Sequence, residues 1–311
     1  MTAIANMKKW FKYFIYISLL FLIIALVKTD SFVIPEILYP KYLFLSVGFL
    51  FVGFLLDAVA WGATLKVYGF STIKQSDAIA GMGLSVFGKY IPGKVWILLG
   101  RSAYMAKRNL ISEGESAAIS LNAQFISLWV GLVLGMASIL IYSNDIVLLI
   151  FALGLLALLS FLLFFGYAHS LFTFLAKKVF KRDVQISRLS GKQTLRVMPY
   201  FIINWLLWCA GFYLLLQSLS TTSFTPLLGL NFSLAATLGV AVVIAPGGIG
   251  VREGILASLL VLGGVDLTLA TGAAVLSRLW FLAGEIFIFF IGVIIDRHNR
   301  KNTSSEDKNM T

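Results

Sequence analysis

The chain has 311 residues, 59% of them hydrophobic and 13% charged, with a net charge of +11 and a mean hydropathy of +0.92. An ordinary soluble domain is excluded, because several runs approach or exceed the roughly 20 apolar residues that cross about 30 Å of hydrocarbon. Nucleic-acid binding is excluded as well: the basic residues gather in short segments between apolar runs, the pattern that membrane insertion imposes.

Residues 7–12 form a basic amphipathic start, and 13–27 the first apolar run. That run ends Ala25-Leu26-Val27-Lys28, without the small-residue exit of a cleaved signal, so a retained helix is expected. Residues 31–41, with Pro35 and Pro40, read as a loop. The second span, 43–65, carries Asp57. An intramembrane carboxylate is a candidate headgroup contact, although near a span end it could instead reach interfacial water. Residues 76–88 and 95–106 are each too short to cross. The break between them, Lys89-Tyr90-Ile91-Pro92-Gly93-Lys94, predicts one hairpin that enters and leaves on the same side, with Arg101 on its second limb. A third span follows at 116–142, then a polar turn at Ser143-Asn144-Asp145, and a fourth span at 146–166.

Residues 168–196 contain Lys177, Lys178, Lys181, Arg182, Arg188, Lys192 and Arg196, interleaved with apolar pairs at helical spacing. They predict a basic amphipathic helix on the cytoplasmic leaflet that fixes topology. The fifth span is 198–219 and the last is 269–295, in which Arg278 and Glu285 lie seven residues apart on nearly one face. Between them, 227–262 form a second hairpin around Ala245-Pro246-Gly247-Gly248-Ile249-Gly250-Val251-Arg252-Glu253-Gly254. Proline and closely spaced glycines free backbone groups that hydrocarbon cannot solvate, so a broken helix lining a wet cavity is expected, with Arg252 and Glu253 in it.

The two breaks are related. Pro92 and Pro246 lie 154 residues apart, and the same shift lays Gly93 on Gly247, Gly100 on Gly254, Ala103 on Ala257, and run 43–65 over 197–219. The fold expected is therefore an all-α polytopic membrane protein with an inverted repeat, about six full transmembrane helices and two re-entrant hairpins broken at Pro92 and Gly93 and at Pro246, Gly247, Gly248 and Gly250. It is a single membrane domain: 10–42 first helix and loop, 43–142 repeat 1, 143–196 connecting helix and basic linker, 197–295 repeat 2, and 296–311 a mobile tail. Counting Lys and Arg in the connections places both termini in the cytoplasm.

Cys209 is the sole cysteine and His169 and His298 the sole histidines, so no metal, cofactor or catalytic set is expected. Arg101, Arg252 and Arg278 would offer guanidinium forks to a phosphate, with Glu253 holding Arg252 and Glu285 holding Arg278 when the site is empty. Asp57 completes the candidate headgroup set, and Arg101 is expected near a membrane edge.

Phe87-Gly88-Lys89-Tyr90-Ile91-Pro92-Gly93-Lys94-Val95-Trp96 with Arg101, and the stretch from Ala245 to Gly254, resemble the lysylphosphatidylglycerol synthase transmembrane (flippase-like) family. In multiple peptide resistance factor that region precedes a soluble aminoacyl-transferase domain. The resemblance covers about residues 10–296 and implies translocation of an anionic phospholipid or a lipid-linked saccharide across a bacterial or archaeal inner membrane. The transferase domain is not expected here, so a separate lipid-modifying enzyme is a candidate partner, as is a second copy in an oligomer. Two alternatives stay open: an integral-membrane transferase acting on a lipid carrier, and a non-transporting scaffold for a neighbouring glycosyltransferase or lipid synthase.

Overall fold

The structure is a computed structural model and describes residues 35–90, 96–142, 146–164, 191–241 and 250–309. Those residues form an all-α polytopic membrane fold. Five helices are long and apolar enough to cross a bilayer: α1 (Pro40–Val67), α4 (Glu113–Tyr142), α5 (Ile146–Phe164), α6 (Gly191–Ser218) and α9 (Leu267–Asn309). Four are not: α2 (Gln75–Ser85), α3 (Trp96–Lys107), α7 (Leu230–Ala241) and α8 (Val251–Leu262), each of 11 or 12 residues. At 1.5 Å rise per residue these cover about 17 Å, roughly half of a hydrocarbon core. Short 3-10 turns at Val86–Tyr90 and Pro226–Gly229 follow α2 and precede α7.

Local chemistry sets the helix ends. Pro40 opens α1, where its missing N–H costs nothing and its fixed φ is already helical. Gly69, at φ +100, reverses the chain after it and donates its N–H to the Lys66 carbonyl at 3.0 Å. Ser112 and Glu115 form a reciprocal cap at the start of α4, the Glu115 N–H donating to Ser112 Oγ at 3.2 Å and that hydroxyl to Glu115 Oε2 at 2.5 Å. Asp266 Oδ1 accepts from the N–H groups of Thr268 and Leu269 and so caps α9.

Lipid offers no hydrophobic drive between helices, so close approach and hydrogen bonds hold the bundle. On the α1–α6 seam the Trp208 indole lies against Gly53, Ser46 Oγ donates to the Gly211 carbonyl at 2.6 Å, and Asn204 Nδ2 donates to the Gly53 carbonyl at 2.9 Å. Glycines on α2 and α9 (Gly83 and Gly292) meet backbone to backbone. Gly131 and Gly135 of α4 seat Thr237 and Leu234 of α7, and Ser138 is hydrogen-bonded to Asn231 nearby. Helix α5, the expected fourth span, packs on α4, where Trp129 Nε1 donates to Ser160 Oγ at 2.8 Å, and turns Ile146, Val147, Ile150 and Phe151 outward.

Several boundaries differ from expectation. The expected basic linker ends inside α6, which begins at Gly191 and takes in Lys192 and Arg196; the 165–190 part lies outside the described residues. The second hairpin opens with a 3-10 turn, because Pro226 supplies no N–H to a preceding turn. Beyond the last apolar residue, α9 continues to Asn309. Its polar extension is tied to α2 by Asn299 donating to Asp77 at 3.0 Å, Arg108 pairs with the same Asp77 at 3.1 Å, and Arg300 pairs with Asp296 one turn back along α9 at 2.8 Å. The first apolar run, the turn at 143–145, and Pro92, Gly93, Pro246, Gly247 and Gly248 lie outside the described residues.

Candidate functional site

The two short-helix pairs, α2/α3 and α7/α8, both bring charge to the middle of α9. In the first pair the 3-10 turn after α2 ends at Lys89 and Tyr90. The Lys89 ammonium pairs with the Glu285 carboxylate, and Tyr90 OH donates to Glu285 Oε2 at 2.7 Å. Glu285 is 1% exposed, so this triad is sealed on the carboxylate side.

In the second pair, Gly250 at φ +81 makes the bend into α8, a conformation that disfavours any residue with a Cβ. Its N–H donates to Glu253 Oε2 at 2.7 Å, capping the helix. The other oxygen, Glu253 Oε1, accepts from Arg278 Nη1 at 3.1 Å. The Arg278 guanidinium also lies 6.0 Å from the centre of the Tyr90 ring, which links the two pairs.

Arg252 is held differently. Its guanidinium rests on the faces of Phe232 and Phe281, at 4.8 and 5.1 Å from the ring centres, and its nearest polar partner is Ser277 Oγ at 3.5 Å. Lys89 lies over the same Phe281 ring at 4.8 Å. Two cations therefore flank one aromatic residue. A ring quadrupole eases the burial of a cation without neutralising it.

Arg101 and Asp57 stand beside this cluster. Arg101 is 4% exposed and stacks on Trp61 at 5.1 Å, while Asp57 of α1 faces the charges of both Arg101 and Lys89. Packing of α3 against α2 and α4 buries Arg101 inside the bundle.

The expected pairings are corrected. Glu253 holds Arg278 rather than its neighbour Arg252, because adjacent residues on a helix do not face each other. Glu285 holds Lys89 rather than Arg278, because two helical turns separate 278 from 285 by about 10 Å. Sequence reasoning named neither Lys89 nor Tyr90 as site residues, nor Phe281, Phe232 and Ser277. The signal for Lys89 was present: it is a lysine next to a predicted helix break in an apolar stretch.

Chemically, the arrangement offers cations, a phenol and carboxylates that are already engaged. No group of three or more His, Cys, Asp or Glu side chains suited to a metal occurs among the described residues. What it can do is bind an anion inside a membrane protein, with guanidinium and ammonium donors fixed by aromatic packing.

A sequence search finds no match among curated proteins. Residues 10–291 match the family described as the lysylphosphatidylglycerol synthase TM region, which is nearly the whole length of the chain. With its multi-pass helical fold and that match, the chain belongs to this lipid-related family of membrane proteins.

Proposed function

We propose that the protein is a flippase-like carrier that moves an anionic phospholipid or a lipid-linked saccharide across the inner membrane. The observation that carries this reading is Arg252. It is 8% exposed, it rests on two aromatic faces, and among the described residues no carboxylate is in ion-pair contact with it. A permanently charged fork kept in a dry place, with no carboxylate in direct contact among the described residues, is poised for an anionic ligand. In this reading Lys89, Tyr90, Arg101, Arg252 and Arg278 receive the headgroup. Glu253, Glu285 and Asp57 act as stand-in anions until it arrives.

Carriers of this type are commonly built as two inverted copies whose broken helices meet near the midplane. Element order supports that reading: long, short, short, long describes α1 to α4 and again α6 to α9. A shift of 154 residues carries Glu113, the start of α4, onto Leu267, the start of α9, and carries Gln75 and Trp96 to within one residue of the starts of α7 and α8. Packing repeats as well, since α2 seats on α9 and α7 on α4, each first limb against the last helix of the other copy. Transport of an acyl-labelled anionic lipid in reconstituted vesicles tests the proposal. Arg252→Lys keeps the charge but loses bidentate geometry, and Arg252→Gln loses the charge, so rates should fall in the order Arg, Lys, Gln with the fold retained. A Gln variant that transports at the wild-type rate would overturn the headgroup role.

A further inference from the structure

The short helices α2 and α7 are both seated through glycine, but the seats differ in how many registers they admit. On the α2–α9 seam one glycine of each helix meets the other: a Cβ at Gly83 would lie 3.0 Å from the Gly292 Cα. A slip of one turn would set Gly292 against Ile79 or Phe87 and force the helices apart. Both ends of the seam are tied as well, by Asn299 donating to Asp77 at 3.0 Å and by the Lys89–Glu285 pair. A slip would strip two buried carboxylates of these partners at once. This seam has one register.

The α4–α7 seam has two. On α4, Gly131 and Gly135 lie a turn apart and face Thr237 and Leu234. Leu238, one turn beyond Leu234, packs in the same apolar group with Leu132 and Ile139 of α4. Moving α7 one turn towards Tyr142 would bring Leu238 to Gly135 in place of Leu234, an exchange of equal volume. On the α6 side the same move would replace Gly229, which lies against Cys209 and Tyr213, by Ser233, another small residue. The polar groups of the seam favour the move. Asn231 is hydrogen-bonded to Ser138, yet its Nδ2 and Thr237 Oγ1 are buried with no hydrogen-bond partner among the described residues. The move would carry Asn231 to the level of Tyr142, the last residue of α4, where interfacial water can reach it.

From this contrast we infer that α7 is a sliding limb with a second register one turn, about 6 Å, further along α4, while α2 and α9 move as one body. The inference rests on the carrier reading for the use of the motion. Gly239 of α7 lies against Arg252, whose Cβ is 2.9 Å from the position a Cβ at 239 would take. The slide therefore takes Arg252 with it, past Ser277 and Phe281 of α9. A cation carried one turn along a helix that stays fixed is a two-state element of the kind alternating access requires.

The test places cysteine pairs in the full chain in vesicles and follows acyl-labelled phosphatidylglycerol before oxidation, after it, and after reduction of the same sample. Ser138→Cys with Asn231→Cys bridges the present register, so oxidation should stop transport and reduction should restore it. Tyr142→Cys with Asn231→Cys should bridge only after the slide, because a disulfide does not span a further helical turn without backbone movement. Asp77→Cys with Asn299→Cys, closed by a short dithiol-reactive linker, should leave the rate unchanged. Each bridge is judged against its own reduced sample, so loss of yield does not blur the result, and the native Cys209 is buried. Three results would overturn the inference: a closed bridge between 138 and 231 that leaves transport intact, no bridge between 142 and 231, or a block from the linker at 77 and 299. If the wild-type chain moves no lipid, the carrier reading falls, and the bridge between 142 and 231 still decides whether α7 slides.

Discussion

The two short-helix pairs share a seat and differ in their clasp. The seats are alike: α2 lies on α9 through Gly83 and Gly292, and α7 lies on α4 through Gly131 and Gly135. The clasps have opposite polarity. From the first pair Lys89 presents a cation to a carboxylate on α9; from the second, Glu253 presents a carboxylate to an arginine on α9. They also come from different sides of the breaks, the first from the turn that ends α2 and the second from the first turn of α8. Shifted by 154 residues, Lys89 and Tyr90 fall on Val243 and Ile244, Arg252 and Glu253 on Leu98 and Leu99, and Arg278 and Glu285 on Gln124 and Gly131. No charge has a charged counterpart. Both seats are packed through glycines, while the charges have no such correspondence, and one α9 gathers them.

Breaking the first clasp should have the largest effect. Glu285→Gln leaves Lys89 beside a neutral amide in the bundle, and removal of one partner from a buried pair costs about 3–5 kcal/mol. Thermal unfolding in detergent should register a large drop for Glu285→Gln. The double replacement Lys89→Met with Glu285→Gln should recover most of it, since no charge is then stranded. If the double variant is as unstable as the single, the pair is not what fixes the first clasp.

Disturbing the seats should come next, and equally on both sides. A Cβ at Gly292 would sit 3.0–3.2 Å from the backbone of Gly83, Leu84 and Ala80, and one at Gly135 would sit 2.6–2.8 Å from Leu234. Neither neighbour is the far end of a flexible side chain, so both helices must move apart. Gly292→Ala and Gly135→Ala should each cost about 1–3 kcal/mol by overpacking. Unfolding shifts that differ widely between the two would mean that the seats are not equivalent.

The elements were legible because membrane crossing imposes a length. Runs 43–65, 116–142, 146–166, 198–219 and 269–295 reappear as α1, α4, α5, α6 and α9, and the short runs as the short helices. Boundaries set by polar chemistry were less so: α9 runs on past Ile295 because Asp77, some 220 residues away, takes a hydrogen bond from Asn299. The site was half legible. Arg252, Glu253, Arg278 and Glu285 stand out as charges in apolar sequence, and all four meet. Who holds whom was not, since Lys89 and Glu285 are 196 residues apart and only the packing of α2 on α9 joins them.

The second clasp should be the weaker one. Its carboxylate is 18% exposed against 1% for Glu285, so water can take over part of its work. Glu253 also serves as a helix cap, its Oε2 accepting from the Gly250 N–H at 2.7 Å while Oε1 accepts from Arg278. Glutamine keeps one acceptor oxygen and can make one of these contacts but not both. The loss is then close to that of a single cap or hydrogen bond, about 1 kcal/mol. Glu253→Gln should therefore shift thermal unfolding by about a third or less of the Glu285→Gln shift. Glu253→Ala, which keeps neither acceptor, should shift it further while staying above Glu285→Gln. The order has a mechanical meaning. If the exposed clasp is the weaker, an anion entering the proposed headgroup site would displace Glu253 from Arg278 before Glu285 from Lys89, and α8 would move first. Equal shifts for Glu253→Gln and Glu285→Gln would remove that order and leave the two clasps energetically alike.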